Sequence, residues 1–215
     1  MLPISACLII RNEEKYIKRC LQSLPDVKEI LIIDQNSTDN TLKEIRSLKK
    51  DNIKIFQRAN IGNADPMRNF LYSLASQPWI LALDADEYLS KKTKSVIPYL
   101  IDLKPSYDVF WFFFENLVEG KNIREILGDD PHPRLFRKGA LVWPTTLHTY
   151  PEIKSPFQFW VDRQYKIIHD RTLEDIRKSH KSRTKLLDPR ARQQELVFLK
   201  KLMAFLGVED NLEWF

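Results

Sequence analysis

The chain has 215 residues, 43% of them hydrophobic and 29% charged, with a formal net charge of +5. That is enough apolar material for a substantial core and excludes a disordered chain, while the longest apolar runs are strand-sized and exclude a bilayer-spanning helix. Two cysteines give no disulfide framework, and the basic excess over residues 166–201, eleven Lys and Arg against five Asp and Glu, comes without zinc-ligand spacing or an RNA-reading aromatic motif. It therefore points to an anionic-membrane face or a solvated helical surface rather than to nucleic acid.

Ile4 to Ile10 is a near-continuous apolar run, as in a strand covered on both faces. With no basic segment ahead of it, it reads as the first strand and not as a signal peptide, so the expected location is cytoplasmic. Asn12 is placed to cap a helix carrying Ile17, Cys20, Leu21 and Leu24 at helical spacing, stopped by Pro25. Glu29 to Asp34 predicts a second strand, and the polar loop Gln35 to Asp39 leads to a helix with Leu42, Ile45 and Leu48 on one face. Ile53 to Phe56 predicts a third strand, Pro66 to Ala75 a helix and Trp79 to Leu83 a fourth strand. Strand alternating with helix argues for an α/β fold with a mostly parallel sheet flanked by helices.

Beyond Glu87 the pattern loosens. A helix from about Thr93 to Leu103 precedes an aromatic strand over 108–114, and Glu119-Gly120-Lys121 reads as a hairpin turn. Arg134 to Arg137 and Ala140 to Trp143 read as short strands around a Lys138-Gly139 turn. Phe157 to Ile168 reads as one strand ending at His169-Asp170, and helices over 172–187 and 190–206 follow. The expected division is one domain over 1–170, in halves 1–90 and 91–170, with a C-terminal helical segment over 171–215 packed on it.

The chemistry concentrates at Asp84-Ala85-Asp86-Glu87, which closes the apolar run Trp79 to Leu83. Three carboxylates within four residues repel one another in a low-dielectric site unless a cation neutralises them, and hard oxygen ligands suit Mg²⁺ or Mn²⁺. Along an extended strand Asp84 and Asp86 would share a face and converge on one ion, with Ala85 turned into packing. The competing reading of such a pair is a solvated acidic turn. Ligands of open parallel sheets bind at the carboxyl ends of the strands, a rule that collects Arg11-Asn12-Glu13, Asp34 to Asp39 and Asp84 to Glu87 on one rim.

These stretches, with Asn60-Ile61-Gly62 and Arg68-Asn69, resemble in order and spacing the family 2 glycosyltransferases of GT-A fold over about the first 90 residues. Pro133 to Arg137 and the His169 to Arg183 region resemble compact bacterial members that decorate lipopolysaccharide or other surface glycans. The resemblance implies a metal-dependent, inverting transfer of one sugar from a nucleoside-diphosphate donor, UDP preferred, to a glycan, lipid-linked or protein-linked hydroxyl. It implies Arg11, Asn12, Glu13, Asp34, Asn36 and Asp39 around base and ribose, with Asp39 equally suited to capping the next helix. Arg68 falls near the diphosphate or base, and Lys178, Lys181 and Arg183 form a basic segment able to close over the diphosphate. Asp86 is the first implied ligand of Mn²⁺ or Mg²⁺ and His169 completes the coordination, while Asp84 binds the sugar, the ribose or a metal-bound water; 1–170 is thereby the catalytic domain, 1–90 its nucleotide-binding half and 91–170 its acceptor side. For the general base the candidates are Asp130, Asp129 and His148, Asp130 first; where some relatives carry His-Glu, this chain has His148-Thr149. Trp111, Phe112, Phe114, Trp143 and Trp160 include candidate platforms for acceptor sugars. The basic C-terminal third adds peripheral contact with an anionic inner membrane face as an expectation. A non-catalytic binding relic of the same fold and a sugar-phosphate nucleotidyltransferase are the rival classes; the second lacks its Gly-rich phosphate loop here.

Overall fold

A computed structural model of the chain describes residues 1–60, 65–144, 150–183 and 189–208. Successive side chains of a strand point to opposite faces, and in β1 (Leu2–Ile10) both faces are buried. Ile4, Ala6, Leu8 and Ile10 pack with Ile17, Cys20 and Leu21 of α1 (Ile17–Ser23), Ile45 of α2 (Thr41–Ser47) and Ile97 of α4 (Lys91–Ile101). Cys7 and Ile9 face Leu71 and Tyr72 of α3 (Asp65–Ser73) on the other side. The unbroken apolar run is thus a consequence of helices on both faces.

The remaining strands are β2 (Val27–Asp34), β3 (Ile53–Gln57), β4 (Trp79–Ala82), β5 (Glu87–Leu89), β6 (Val109–Val118), β7 (Lys121–Asn122), β8 (Pro131–Arg137), β9 (Leu141–Val142), β10 (Glu152–Ile153), β11 (Gln158–Trp160) and β12 (Ile167–Arg171). The large sheet runs β3-β2-β1-β4-β8-β6-β12-β5, with β7 and β11 also on β6. The pairs β3-β2, β2-β1, β1-β4, β6-β12 and β6-β11 are parallel; β8 runs antiparallel between β4 and β6. Because β8 is reversed, its first residues lie on the same rim as the last residues of β1, β2, β4, β6 and β12. One edge of the sheet therefore gathers residues from across the sequence.

Several expectations need correction. The DxD segment is not extended: Asp84 and Ala85 leave the strand, Glu87 N–H donates to Asp84 O (3.1 Å), and β5 begins in the turn. Ala85 does turn into the core. Asn12 does not cap α1, which starts at Ile17; Asn12 sits at φ 56° and uses its side chain elsewhere. The expected strand over 157–168 is two, β11 and β12, because Asp162 makes a turn between them, accepting at Oδ1 from Gln164 N–H (2.9 Å) and at O from Tyr165 N–H (2.9 Å). The short strands β8 and β9 do flank the expected Lys138-Gly139 turn, with β9 paired to β10. The Glu119-Gly120 turn is the expected tight one, joining β6 to β7 with φ 49° and 73° at its central residues, the backbone that favours Gly.

At the carboxyl end of β6, Val118 and Ile123, the latter just ahead of the short α5 (Arg124–Leu127), join Ile176 of α6 (Leu173–Arg183) and Leu199, Leu202 and Met203 of α7 (Pro189–Leu206) in a separate apolar cluster. That cluster holds the start of α6 beside the rim.

Candidate active site

The rim is built by two loops zipped together. Asn12 N–H donates to Ser37 Oγ (2.9 Å), Glu13 N–H to Thr41 Oγ1 (2.7 Å) and Glu14 N–H to Asp39 Oδ2 (3.1 Å). In return Thr38 N–H donates to Asn12 Oδ1 (2.7 Å) and Asn40 N–H to Glu14 Oε2 (2.8 Å). Asn12 and Asn36 both take φ 56°, a left-handed conformation that Asn tolerates better than most residues. Fully buried Asp34 accepts from Ser37 N–H (3.1 Å) and Oγ–H (2.6 Å), and Asp39 accepts from Thr41 N–H (3.0 Å) at the start of α2. The polar run Asp34 to Thr41 thus satisfies loop backbone, and Asp39 takes the capping part that the sequence allowed it.

A cleft of ≈ 730 Å³ opens on this rim, lined by Arg11, Glu13, Asp39, Asp86, Arg171 and Lys178 among others. Asn12 lines it as well; Asn36 is exposed on the adjoining loop, and Lys181 is an exposed residue farther along α6. Lys178 also pairs with Glu174 (2.8 Å) on the helix surface. Glu13 is pushed up to about 8 by burial and by the neighbouring charges of Asp86 and Asp84. Burial and like charge in the cleft therefore hold this carboxyl protonated at neutral pH. His148, Ile61-Gly62 and the side chain of Arg183 lie outside the described residues.

Arginines neutralise the first acidic residue. Asp84 accepts from Arg68 (3.0 Å) and Arg134 (3.1 Å), and Arg134 also binds Glu87 in a closely packed pair. Burial would raise the Asp84 carboxyl, but the two guanidiniums outweigh it and hold it well below the usual range. Arg68 lies flat over Trp143, 4.7 Å from its ring centre, while Asn69 brackets the Trp143 backbone through bonds to its N–H (2.9 Å) and O (2.7 Å). The Arg68-Asn69 pair is explained by this clamp.

Asp86 belongs to a different chain of contacts. Asn116, at the polar end of the aromatic run on β6, donates from Nδ2 to Asp130 Oδ2 (3.3 Å), which turns its Oδ1 toward His169 Nδ1 (2.9 Å). A carbonyl oxygen only accepts, so Nδ1 carries a proton and Nε2 faces Asp86 Oδ2 at 3.1 Å. Arg171 Nε stands 3.5 Å from the same oxygen. Burial would lower the His169 pKa, yet the charge of Asp86 and its hydrogen bond raise it; for Asp86, burial raises and His169 and Arg171 more than reverse the effect. Among the described residues no three His, Cys, Asp or Glu side chains converge as a metal-binding group.

The two neighbouring acids before β8 differ. Asp129 is held at the surface by Arg124 (3.0 Å) and Arg163 (2.6 Å). Asp130 faces the rim, with Oδ1 at 2.8 Å from His132 Nε2. Burial raises its carboxyl, and the hydrogen bond and charge of His132, with Asn116, bring it below its ordinary value. Sequence reasoning gave no role to Arg134, Asn116, Arg171 or His132. An Arg inside the apolar strand Arg134-Leu135-Phe136, and an Asn ending an aromatic run, were the available signals, since a buried polar group needs a partner.

Asp175 ties α6 to the first loop: it accepts from Lys15 (3.3 Å), Thr172 N–H (2.9 Å) and, in short contacts, Tyr16 Oη and Thr172 Oγ1. Burial opposes its ionisation, but the bonds from Thr172 and Tyr16 prevail and bring the carboxyl down to about 2. A depressed carboxyl stabilises the fold above the unfolded-state value and loses that contribution as pH falls through the folded one. Asp175→Asn is accordingly expected to cost about 1–2 kcal/mol at neutral pH, a difference that narrows as pH falls below about 4 in urea titrations.

Residues 5–164 match the sequence profile described as glycosyl transferase family 2. The lipopolysaccharide core biosynthesis glycosyltransferase LpsC of Rhizobium meliloti (strain 1021) is 32% identical over 138 residues, covering 58% of this chain and 51% of that protein. The SPbeta prophage-derived glycosyltransferase SunS of Bacillus subtilis (strain 168) is 30% identical over 174 residues, 78% of this chain and 39% of that one. The chain spans about half the length, or less, of these curated relatives. The crystal structure of S. aureus TarS 1-349 superposes with a TM-score of 0.62 at 20% identity, covering 95% of this chain and 72% of that one; TarS has also been crystallised with UDP-GlcNAc. This is a likeness of fold, and it bears out the expected GT-A architecture.

Proposed function

Because the chain belongs to glycosyl transferase family 2, we propose that its rim transfers one sugar from a nucleoside-diphosphate donor to an acceptor hydroxyl. The observation that carries this reading is the linked series Asp86, His169, Asn116, Asp130, which joins the carboxylate proposed for the metal to the proposed base through β12 and β6. The donor occupies the cleft between the zipped loops and α6, where Arg11, Arg171 and Lys178 offer positive charge to the diphosphate. UDP is the donor nucleotide proposed first, on family grounds.

Asp86 Oδ2 and His169 Nε2 would hold Mn²⁺ or Mg²⁺. With the ion bound, the imidazole would be neutral with its proton on Nδ1, and anchoring of that nitrogen by Asn116 is the usual support of a metal-binding His. When bound, such an ion stabilises charge developing on the departing diphosphate, worth several kcal/mol. Asp84, saturated by two arginines, orients Arg68 and Arg134 instead of ligating.

Asp130 accepts the proton of the attacking hydroxyl. Its lowered carboxyl keeps it ionised at neutral pH, so the reaction should slow only on acidification. A single displacement with the base facing the acceptor inverts the anomeric centre. No helix among the described residues is long and apolar enough to cross a membrane; contact of the basic α6 and α7 surface with anionic lipid is the proposed location of a membrane-linked acceptor.

The test is release of nucleoside diphosphate from UDP-, GDP- and dTDP-sugars with Mn²⁺ or Mg²⁺ and after chelation. Metal-dependent release from one donor class is expected. Tight nucleotide binding without turnover under any condition would favour the relic, and pyrophosphate-dependent exchange the nucleotidyltransferase.

A further inference from the structure

Beyond the rim a line of aromatic rings leads away from Asp130. His132, bonded to Asp130, lies 4.7 Å from Phe114 between ring centres and is stacked on Tyr150 at 6.1 Å with 23° between planes. Tyr150 is 6.5 Å from Trp111, and Trp111 is stacked on Trp160 at 5.7 Å with only 5° between planes. The pair Trp111 and Trp160 is set by strand register, since the two residues are direct neighbours on β6 and β11. Trp111 Nε1–H also donates to Gln158 Oε1 (3.0 Å), which fixes its ring.

The far half of this line faces water: Tyr150 is 61% exposed and Trp160 52%. By contrast Phe112, a platform candidate from sequence, is fully buried, and Trp143 is covered by Arg68. Exposed rings at the end of a line of contacts that runs back to a catalytic rim call for a ligand, which meets the outer faces and edges that the stacked rings leave open. Flat rings bind a flat, partly apolar partner, and polar groups beside them must meet its hydroxyls. Here Gln158, held against Trp111, stands beside the line, and Arg163 lies near it over Phe113 at 4.7 Å. A pyranose has this character, with C–H groups on its face and, around its edge, hydroxyls that a Gln amide can meet.

We infer that Trp160, Trp111 and Tyr150 form an acceptor subsite for a glycan of more than one sugar ring, which lies along the aromatic line and delivers its terminal hydroxyl past His132 to Asp130. This assigns the acceptor class, a carbohydrate chain, and rests on the reading of Asp130 as the base.

The probe is a printed array of oligosaccharides, followed by titration of each retained oligosaccharide against intrinsic tryptophan fluorescence. Wild-type protein is expected to retain at least one glycan, and Trp160→Ala and Tyr150→Ala each to weaken it tenfold or more. Tyr99→Ala, at an equally exposed aromatic on α4, is expected to bind as wild type. Both tested side chains are largely exposed, so unchanged circular dichroism is expected and removes misfolding as a cause. No glycan retained by wild type, equal affinity in the variants, or a dimer in light scattering that Trp160→Ala abolishes would each overturn the inference. Thermal stabilisation by UDP with Mn²⁺ separates the two levels: if it persists without glycan binding, the subsite alone fails, and if it is absent while glycan binding holds, the donor reading fails.

Discussion

Replacing Asp130 with Asn is expected to lower kcat by ~10²–10⁴ while the donor KM moves by less than about threefold. The substitution keeps the shape of the side chain, and its oxygen still accepts from Asn116, so His169 and Asp86 stay where they are. What is lost is the oxygen that takes a proton from the acceptor, an interaction made in the transition state and not in donor binding. Asp129→Asn provides the contrast, since that carboxylate is engaged by Arg124 and Arg163 at the surface. Its expected effect on kcat is less than about twofold. Steady-state release of nucleotide, with an oligosaccharide retained on the array as acceptor, checks both; equal losses in the two variants would remove Asp130 from the mechanism.

Arg134→Met should destabilise the fold by about 3–5 kcal/mol. The guanidinium is 5% exposed and lies between Asp84 and a Glu87 side chain that is 2% exposed, so its removal leaves the enclosed Glu87 without its cation and Asp84 with Arg68 alone. The penalty arises from the uncompensated charge more than from the lost pair. Adding Glu87→Gln should therefore recover part of it, because the glutamine oxygen can still accept from Asp84 N–H as Glu87 Oε2 does at 3.1 Å. Guanidinium midpoints for the single and double variants measure this. A loss below about 1 kcal/mol, or a double variant no better than the single, would mean the two carboxylates are satisfied in another way.

The first half of the fold was legible because β1, β2 and β4 are buried on both faces over almost all their length and the helices carry apolar stripes, so local pattern and tertiary environment agree. The rim was legible for a second reason: strand ends in a parallel sheet are where polar residues collect. Local pattern failed where one side chain redirected the backbone. Asp162 split a run that reads as one strand, and Asn12 entered the left-handed region and gave its oxygen to Thr38 instead of to a helix. The partners within the site were not legible at all. Arg134 meets Asp84 across fifty residues and Asn116 meets His169 across fifty-three, contacts made by sheet order and not by spacing along the chain. The reversed strand β8 brings Asp130 to the rim, a placement that depends on topology.

The most direct test of the central claim, that Asp86 and His169 make this rim a metal-assisted donor site, is thermal unfolding with UDP, GDP and dTDP, with and without Mn²⁺, for wild type and Asp86→Ala. The account predicts that one nucleoside diphosphate raises the wild-type Tm by several degrees only when Mn²⁺ is present, as a ligand specific to the folded state must, and that the variant, unfolding cooperatively by itself, shows no such shift. A nucleotide shift that ignores the metal, or one that survives in Asp86→Ala, would contradict it.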